Sequence, residues 1–436
     1  MDKDQRIRDP VHDLIKFSQN DRYDHLLWSI VQSRPMQRLR RVKQLGFSEF
    51  VYPGATHSRF SHSLGALQMA RRMFEVFERN DVFKRDETHR EKRAATLAAV
   101  LLHDVGHGPY SHVFEEVSQH MELEMPHEAY TRAIIAETEI AGILTEYDLL
   151  EPVLQFFEKD VRDNPYSAIV SSQLDADRLD FLTRDRYSTG IRVGQIDHEW
   201  LFDSLRIEDV AYGVEEGDSR MTFVVLQKGL RAVEDYISAY LKLYESVYLH
   251  KTTRGIQFLV EEAVKAALDD MTAVRDSGIS SPLLEYFFRK PEERLSHYLS
   301  LDDFDVMTLM KQLAARDLGD ASHFAVRFLT RQPLRCCEPN DPNQALNLNR
   351  SKALRARLAE MKIWFHLDIS KAKGFKSYDA LDEQFLRNIM IKVDDRQTRP
   401  VGDVDHSVVT TLRPRCRFYF RNEDDRALAE KIWREI

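Results

Sequence analysis

Apolar positions recur at three- and four-residue spacing through most of the chain. Over 61–79 the stripe is Leu64, Leu67, Met69, Met73, Val76 and Phe77, the period of an amphipathic helix. The same spacing predicts helices over 91–103, 143–158, 167–186, 227–250 and 255–271. Pro126 before His127–Glu137 marks another helix start. Helix 91–103 should stop at Gly106 in a left-handed exit. Strand signals are few: 221–226, paired with 210–213, then 388–393 and Arg415–Phe420, joined by a polar loop holding Pro400 and Gly402. A closing helix is expected over 424–435. The fold class is mainly α, a helical body with a small C-terminal α/β appendage at about 381–436. The polar run 338–344 reads as an exposed loop dividing a body, 1–337, from a C-terminal region, 338–436.

Composition narrows the class. The 436 residues are 31% charged and 43% hydrophobic, which suits a globular core. The longest apolar run, 97–102, is too short to span a bilayer, and the first residues show no apolar secretory core, so neither membrane nor export is expected. Cys336, Cys337 and Cys416 form no disulfide framework, which suits a reducing cytoplasm. A net charge of −9 does not suit a protein coated for nucleic acid. The cluster Arg34, Arg38, Arg40, Arg41 and Lys43 reads as a solvated helix face.

The run 101–112 concentrates His103, Asp104, His107 and His112, with Gly106 and Gly108 between them. Imidazoles and carboxylates are ligands for Mn, Fe, Zn or Mg. His103 and Asp104 diverge by about 100° on an ideal helix, yet can meet at one ion where the helix ends. His62 opens helix 61–79, and Gly65 one turn on permits close packing of a second helix. Asp177, Phe181 and Asp185 share one stripe at i, i+4 and i+8. Asp180 and Arg184 read as a surface ion pair. His112 and Glu115 are spaced so that the carboxylate could hold the imidazole as a general acid; His127–Glu128 is a second such pair. Arg59 could clamp phosphate. Together these groups describe metal-assisted hydrolysis at phosphorus.

The blocks 37–46, 53–65, 103–112 and 175–185 together resemble the HD phosphohydrolase superfamily, in particular its dNTP triphosphohydrolase branch, typified by the vertebrate SAM-and-HD-domain enzyme and its bacterial relatives. The resemblance implies an HD-domain helical bundle. It implies His62, His103, Asp104 and Asp177 as ligands of a divalent metal (Mn, Fe, Mg or Zn), with a second Mg accompanying the nucleotide. It places His107, His112 and His127 at the reaction centre, His112 as proton donor supported by Glu115, and Glu128 orienting His127. Arg59 and Arg178 would contact phosphate; the latter position is lysine in the vertebrate enzyme. Gln44 and Asp185 would bond the sugar 3′-hydroxyl, and Leu45 and Tyr248 would crowd the 2′ position. Phe181 replaces a tyrosine, and Tyr248, His250 and Lys251 match a substrate-touching segment. No SAM domain is expected ahead of the body. An activator nucleotide between subunits would meet Gln32, Arg40, Arg331 and Arg335. Gln32 stands where the vertebrate enzyme reads guanine with an aspartate, which removes that guanine contact.

The expected function is therefore metal-dependent hydrolysis of a dNTP to deoxynucleoside and inorganic triphosphate. Nucleotide activation, a dimer or tetramer, and a role in dNTP pool control or antiphage defence belong to the same expectation. Two alternatives stand beside it: an HD-type phosphodiesterase or nuclease on cyclic nucleotides, oligonucleotides or DNA ends, and a nucleotide-sensing module with vestigial hydrolysis.

Overall fold

The long apolar stripes fold as helices, each burying one face in a shared core. The computed structural model describes residues 4–80, 86–123, 126–158, 164–192, 195–211, 219–338, 344–370, 388–394, 397–405 and 415–436. The chain opens with an antiparallel hairpin, β1 (Gln5–Asp9) and β2 (Asp13–Phe17). Helices α1 (Arg22–Gln32) and α2 (Arg34–Arg38) lead through 3-10 turns at Leu39–Arg41 and Gly46–Phe50 to the central pair, α3 (Arg59–Asn80) and α4 (Glu87–Leu102). Then come α5 (His112–His120), α6 (His127–Glu137), α7 (Glu139–Thr145), α8 (Leu150–Leu154), α9 (Pro165–Val170) and α10 (Ala176–Thr189). Helix α10 packs along α3, and Gly65 is what lets it approach. A Cβ there would lie 1.9 Å from Asp180 Oδ1, inside any contact distance.

The second half adds α11 (His198–Ser204), the antiparallel strands β3 (Leu205–Ala211) and β4 (Ser219–Leu226), α12 (Leu230–Leu243), a π-turn at Tyr244–Tyr248, and α13 (Lys251–Asp269). It continues with α14 (Met271–Asp276), α15 (Pro282–Tyr286), α16 (Pro291–Tyr298), α17 (Asp303–Ala314) and α18 (Asp320–Leu329). The C-terminal part holds β5 (Arg335–Cys337), α19 (Gln344–Glu360), β6 (Phe365–Ser370), β7 (Met390–Asp394), β8 (Gln397–Pro400), α20 (Val401–Val404), β9 (Arg415–Phe420) and α21 (Glu423–Glu435). The molecule is mainly helical with a small C-terminal α/β part, as the apolar spacing predicts. Among the described residues no helix is long and apolar enough to cross a membrane.

Several expectations change. The two late strands join different sheets. β7 runs parallel to β4, with Val224 opposite Met390, in a sheet ordered β3-β4-β7-β8. β9 lies between β5 and β6. Pro400 ends a strand and Gly402 sits in α20, so the expected polar loop is partly regular. Residues 221–225 pair with 205–209, Val210 and Ala211 lie opposite Arg220 and Ser219, and Tyr212 and Gly213 lie outside the described residues. So do 339–343 of the expected boundary loop. Helix 143–158 breaks where Asp148 takes φ +59, and 167–186 splits because the Asp175 carboxylate caps a new helix through Arg178 N. Gly106 is not in the left-handed region. It is needed for close approach instead, since a Cβ there would sit 2.2 Å from the His127 carbonyl. Arg38 is buried, not solvated. Its guanidinium donates to the carbonyls of Val105, His107 and Leu301.

Candidate metal centre

Three helix ends meet at one point. His62 lies in the first turn of α3, His103 caps the C-terminus of α4, and Asp177 lies in the first turn of α10. Their ligand atoms lie within 4.8 Å of one another. His62 Nε2 is 2.9 Å from Asp177 Oδ1 and 3.2 Å from His103 Nε2. His103 Nε2 is 3.5 Å from the same Asp177 oxygen. Donors bound at about 2.0–2.2 Å to one ion stand about 3 Å apart, so the spacing fits a single small cation.

The opposite ring nitrogens explain why a cation is wanted. His103 Nδ1 is 2.7 Å from the Val100 carbonyl, which can only accept. His62 Nδ1 is 2.8 Å from the Asp180 carboxylate. Each Nδ1 must therefore carry the proton of a neutral ring, and each Nε2 presents a bare lone pair. Two lone pairs and a carboxylate oxygen converge on the same space. Without a cation the conflict is relieved by protonation. Burial would lower the His62 imidazole, but Asp177 and Asp180 outweigh it and raise it to about 10. Burial likewise opposes the His103 cation, and Asp104 and Asp177 raise it. The Asp177 carboxyl is held below its ordinary range by the two imidazoles despite burial.

Asp104 stands at the edge of this triad. Its Oδ1 is 3.4 Å from His103 Nε2 and its Oδ2 is 3.8 Å from His62 Nε2. Arg59 Nη1 donates to Oδ2 at 2.7 Å, and His107 Nε2 is 3.2 Å from Oδ1. Arg59 thus occupies the carboxylate that the sequence pattern assigns to metal. Burial and then the Arg59 charge push His107 down to about 3, so its ring is neutral.

A second histidine cluster adjoins the first. His107 stacks on His127 with ring centroids 4.1 Å apart. His127 Nδ1 is 2.6 Å from Glu115 Oε1, and His112 Nδ1 is 3.4 Å from Glu115 Oε2. The expected partnership changes here. Glu115 holds His127 more closely than His112, whose side chain is 72% exposed, while Glu128 is 3.5 Å from His127 and also largely exposed. Burial opposes the His127 cation, yet Glu115 and Glu128 raise its pKa. The Glu115 carboxyl is correspondingly lowered by its two imidazoles.

Beyond Asp177, the stripe of α10 continues as expected. Phe181 packs near His62 and Tyr248, and Asp185 is buried. His57 Nε2 lies 2.8 Å from Asp185 Oδ1, and Tyr248 donates to Oδ2 at 2.5 Å. Gln44 Oε1 is buried without a hydrogen-bond partner among the described residues, and Leu45 packs on the core beside it. Arg178 is turned to Asp175 and the Ser172 carbonyl. His250 caps α13 through Thr252 N, and Lys251 is exposed beside it. Of the residues expected at an activator site, Gln32 ends α1, Arg40 lies over the Phe60 ring, Arg331 donates to the Phe50 carbonyl, and Arg335 lies in β5; all four are exposed.

Sequence reasoning missed the outer partners. Asp180 and Arg184, read as a surface pair, are fully buried against His62. His57 sits in the quoted motif but carries no spacing signal. Asp303 accepts from Lys43 N at 2.9 Å and Tyr110 N at 2.7 Å, tying the Gln44 loop to the histidine loop. Only the position of α17 brings it there.

Comparison with known proteins agrees with this architecture. The HD domain family matches residues 59–182. An uncharacterised protein of Bacillus subtilis, YwfO, is 33% identical over 78% of this chain and 73% of its own length. The deoxynucleoside triphosphate triphosphohydrolase SAMHD1 of Homo sapiens is 26% identical over 62% of this chain, a match spanning 46% of that enzyme. Among solved structures, a phosphohydrolase of Bacteroides thetaiotaomicron superposes with a TM-score of 0.74 at 24% identity, over 96% of this chain and all of that one.

Proposed function

The chain belongs to the HD-domain phosphohydrolase superfamily and is a metal-dependent phosphohydrolase; from that premise we propose that it hydrolyses deoxynucleoside triphosphates to deoxynucleoside and inorganic triphosphate. The observation that carries this reading is the buried Asp185, held by His57 and Tyr248 two turns beyond Asp177 on α10. A carboxylate has about four lone-pair sites, so Asp185 can accept a sugar 3′-hydroxyl as well. The unpartnered Gln44 Oε1 offers a second acceptor. The relatives that are dNTP triphosphohydrolases by name support the same substrate class.

His62, His103 and Asp177, with Asp104 at their edge, would hold a divalent cation. When bound, the cation supplies Lewis acidity and lowers the pKa of water. Arg59 leaves one side of Asp104 to neutralise phosphate oxygens, and Arg178 adds a second cationic group. Water attacks the α-phosphorus and the bond to the 5′ oxygen breaks. The departing oxygen takes a proton from the imidazoles that Glu115 holds, His112 and His127, the latter better buried and of raised pKa. His107, neutral and stacked on His127, keeps that ring in place. Phe181 packs where a tyrosine hydroxyl would otherwise reach the nucleotide, and Leu45 and Tyr248 narrow the 2′ side. The exposed Arg331 and Arg335 keep nucleotide activation within the proposal.

The test is a panel of each dNTP with Mn or Mg, with and without a second nucleotide, products identified by mass. Deoxynucleoside plus tripolyphosphate is the expected result. A nucleoside monophosphate from a dinucleotide, with dNTPs inert, would replace this reading with a phosphodiesterase.

A further inference from the structure

The N-terminal hairpin reaches the back of the metal centre. At its turn, His12 Nε2 lies 2.6 Å from Asp180 Oδ1, with both side chains almost wholly buried. Asp180 Oδ2 is in turn the partner of His62 Nδ1. Arg184 donates to both Asp180 oxygens, through Nε at 2.9 Å and Nη2 at 3.0 Å. It is itself held by Asp9, with Nη1 2.8 Å from Oδ2. Asp9 ends β1, and its Oδ1 also accepts from Val11 N and His12 N, both at 2.9 Å. One carboxylate therefore shapes the hairpin turn and anchors the arginine that orients Asp180.

We propose that the turn of the N-terminal hairpin is an outer layer of the metal centre, in which His12 and Asp9 act as positioning residues that fix Asp180 and, through it, the His62 ring. This inference rests on the metal reading of His62, His103 and Asp177, and not on the choice of substrate. Asp180 must do two things at once. It accepts the His62 Nδ1 proton, which leaves Nε2 bare for a cation, and it holds the ring in the one plane that aims Nε2 at the triad. Four donors, from His12, His62 and twice from Arg184, fill the sites of this carboxylate, so it cannot turn. Without His12 one site opens and the carboxylate gains freedom to rotate away from His62. The hairpin is itself held firmly. Ile15 and Phe17 are fully buried, and Arg71 donates to the Lys16 carbonyl. The turn thus rests on core packing and not on His12 alone.

The experiment uses the full chain and cobalt(II) as probe, with affinity read by calorimetry and coordination by the visible absorption of the bound ion. Asp180→Asn should weaken cobalt binding by about 10- to 100-fold, the effect of losing a carboxylate behind a ligating histidine. His12→Ala should weaken it by about tenfold and alter the absorption envelope, while His12→Gln, which keeps a donor, should recover most of the loss. Phe17→Leu serves as the packing control. It should lower the unfolding temperature with cobalt affinity unchanged. Cobalt binding by His12→Ala equal to that of the wild type, with an unchanged spectrum, would overturn the proposal. So would a Phe17→Leu variant that loses cobalt as His12→Ala does, because the role would then be merely structural. A wild-type protein that binds no cobalt would remove the metal reading beneath it. An absence of dNTP hydrolysis with cobalt binding intact would touch only the substrate.

Discussion

Two clusters of histidines and carboxylates lie side by side in this protein, and they differ in where the carboxylates stand around the rings. In the first, His62 and His103 spend their Nδ1 protons on Asp180 and the Val100 carbonyl, so their Nε2 lone pairs face Asp177 and each other. In the second, Glu115 takes the Nδ1 of both His127 and His112 at the open side of the site. Among the described residues the far nitrogens of His127 and His112 share no carboxylate, Glu128 lying 3.5 Å from His127 Nε2 alone, and His127 holds its proton more tightly than a free imidazole. The residue types are nearly the same. What differs is that the first cluster has a carboxylate, Asp177, among its Nε2 atoms as well as Asp180 behind His62, whereas Glu115 meets only Nδ1 atoms, and the proposed ligand and acid roles rest on that difference.

Changing His62 to Ala tests the contrast most severely. Metal content by elemental analysis should fall to background, and turnover should drop by about a thousandfold or more, since the cation's whole contribution is lost. A variant that keeps its metal would break the comparison. Changing His127 to Ala should leave metal content unchanged and lower turnover by about 10²–10³, the usual worth of a positioned general acid. Loss of metal in that variant would mean that both clusters bind ions.

Glu115→Gln sharpens the second half of the contrast. His127 must be protonated to donate, so activity falls as pH rises through its pKa. Burial lowers that pKa, and Glu115 together with the charges of Glu128 and Asp104 more than offsets it. Removing the Glu115 charge should therefore shift the alkaline limb of the pH–rate profile to lower pH and reduce the plateau about tenfold. An unmoved limb would assign the proton elsewhere.

The smallest effect concerns the tie between the two loops. Burial pushes the Asp303 carboxyl up to about 7, while in the unfolded chain it titrates near its usual value of about 3.9. The native state therefore holds the extra proton through this window. Stability from this group is greatest below about pH 4 and declines as pH rises toward about 7. Asp303→Asn cannot titrate, so urea unfolding at pH 5 and pH 7.5 should show a smaller difference than in the wild type. An equal difference would place the slope on other groups.

Helix periodicity made α3, α4, α12 and α13 legible before any coordinates, because each must bury a continuous stripe, and a stripe repeats locally. His62, His103 and Asp177, the proposed ligands, could be picked out through the resemblance of their four sequence blocks to a known family, and the fold brings them together at helix ends. The outer partners were not visible. Asp180 and Arg184 obey the rule for a surface i, i+4 pair, and only the approach of α3 at Gly65 buries them. Arg38 looked like one cation of a solvated face until the loop carbonyls of Val105 and His107 closed over it. The placement of β7 beside β4 and of β9 between β5 and β6 was likewise closed to local reading, because strand pairing joins segments far apart in the chain.

By itself, then, the sequence determined a helical body and the order of the histidines and aspartates proposed as ligands, for these follow from local periodicity and side-chain chemistry. Tertiary structure alone decided which nitrogen of each histidine faces Asp177, that Asp180 stands behind His62, and that residues 9 and 12 reach Arg184 and Asp180. Those are questions of direction and distance across the core, and hydrogen bonds spanning 168 positions leave no trace in spacing.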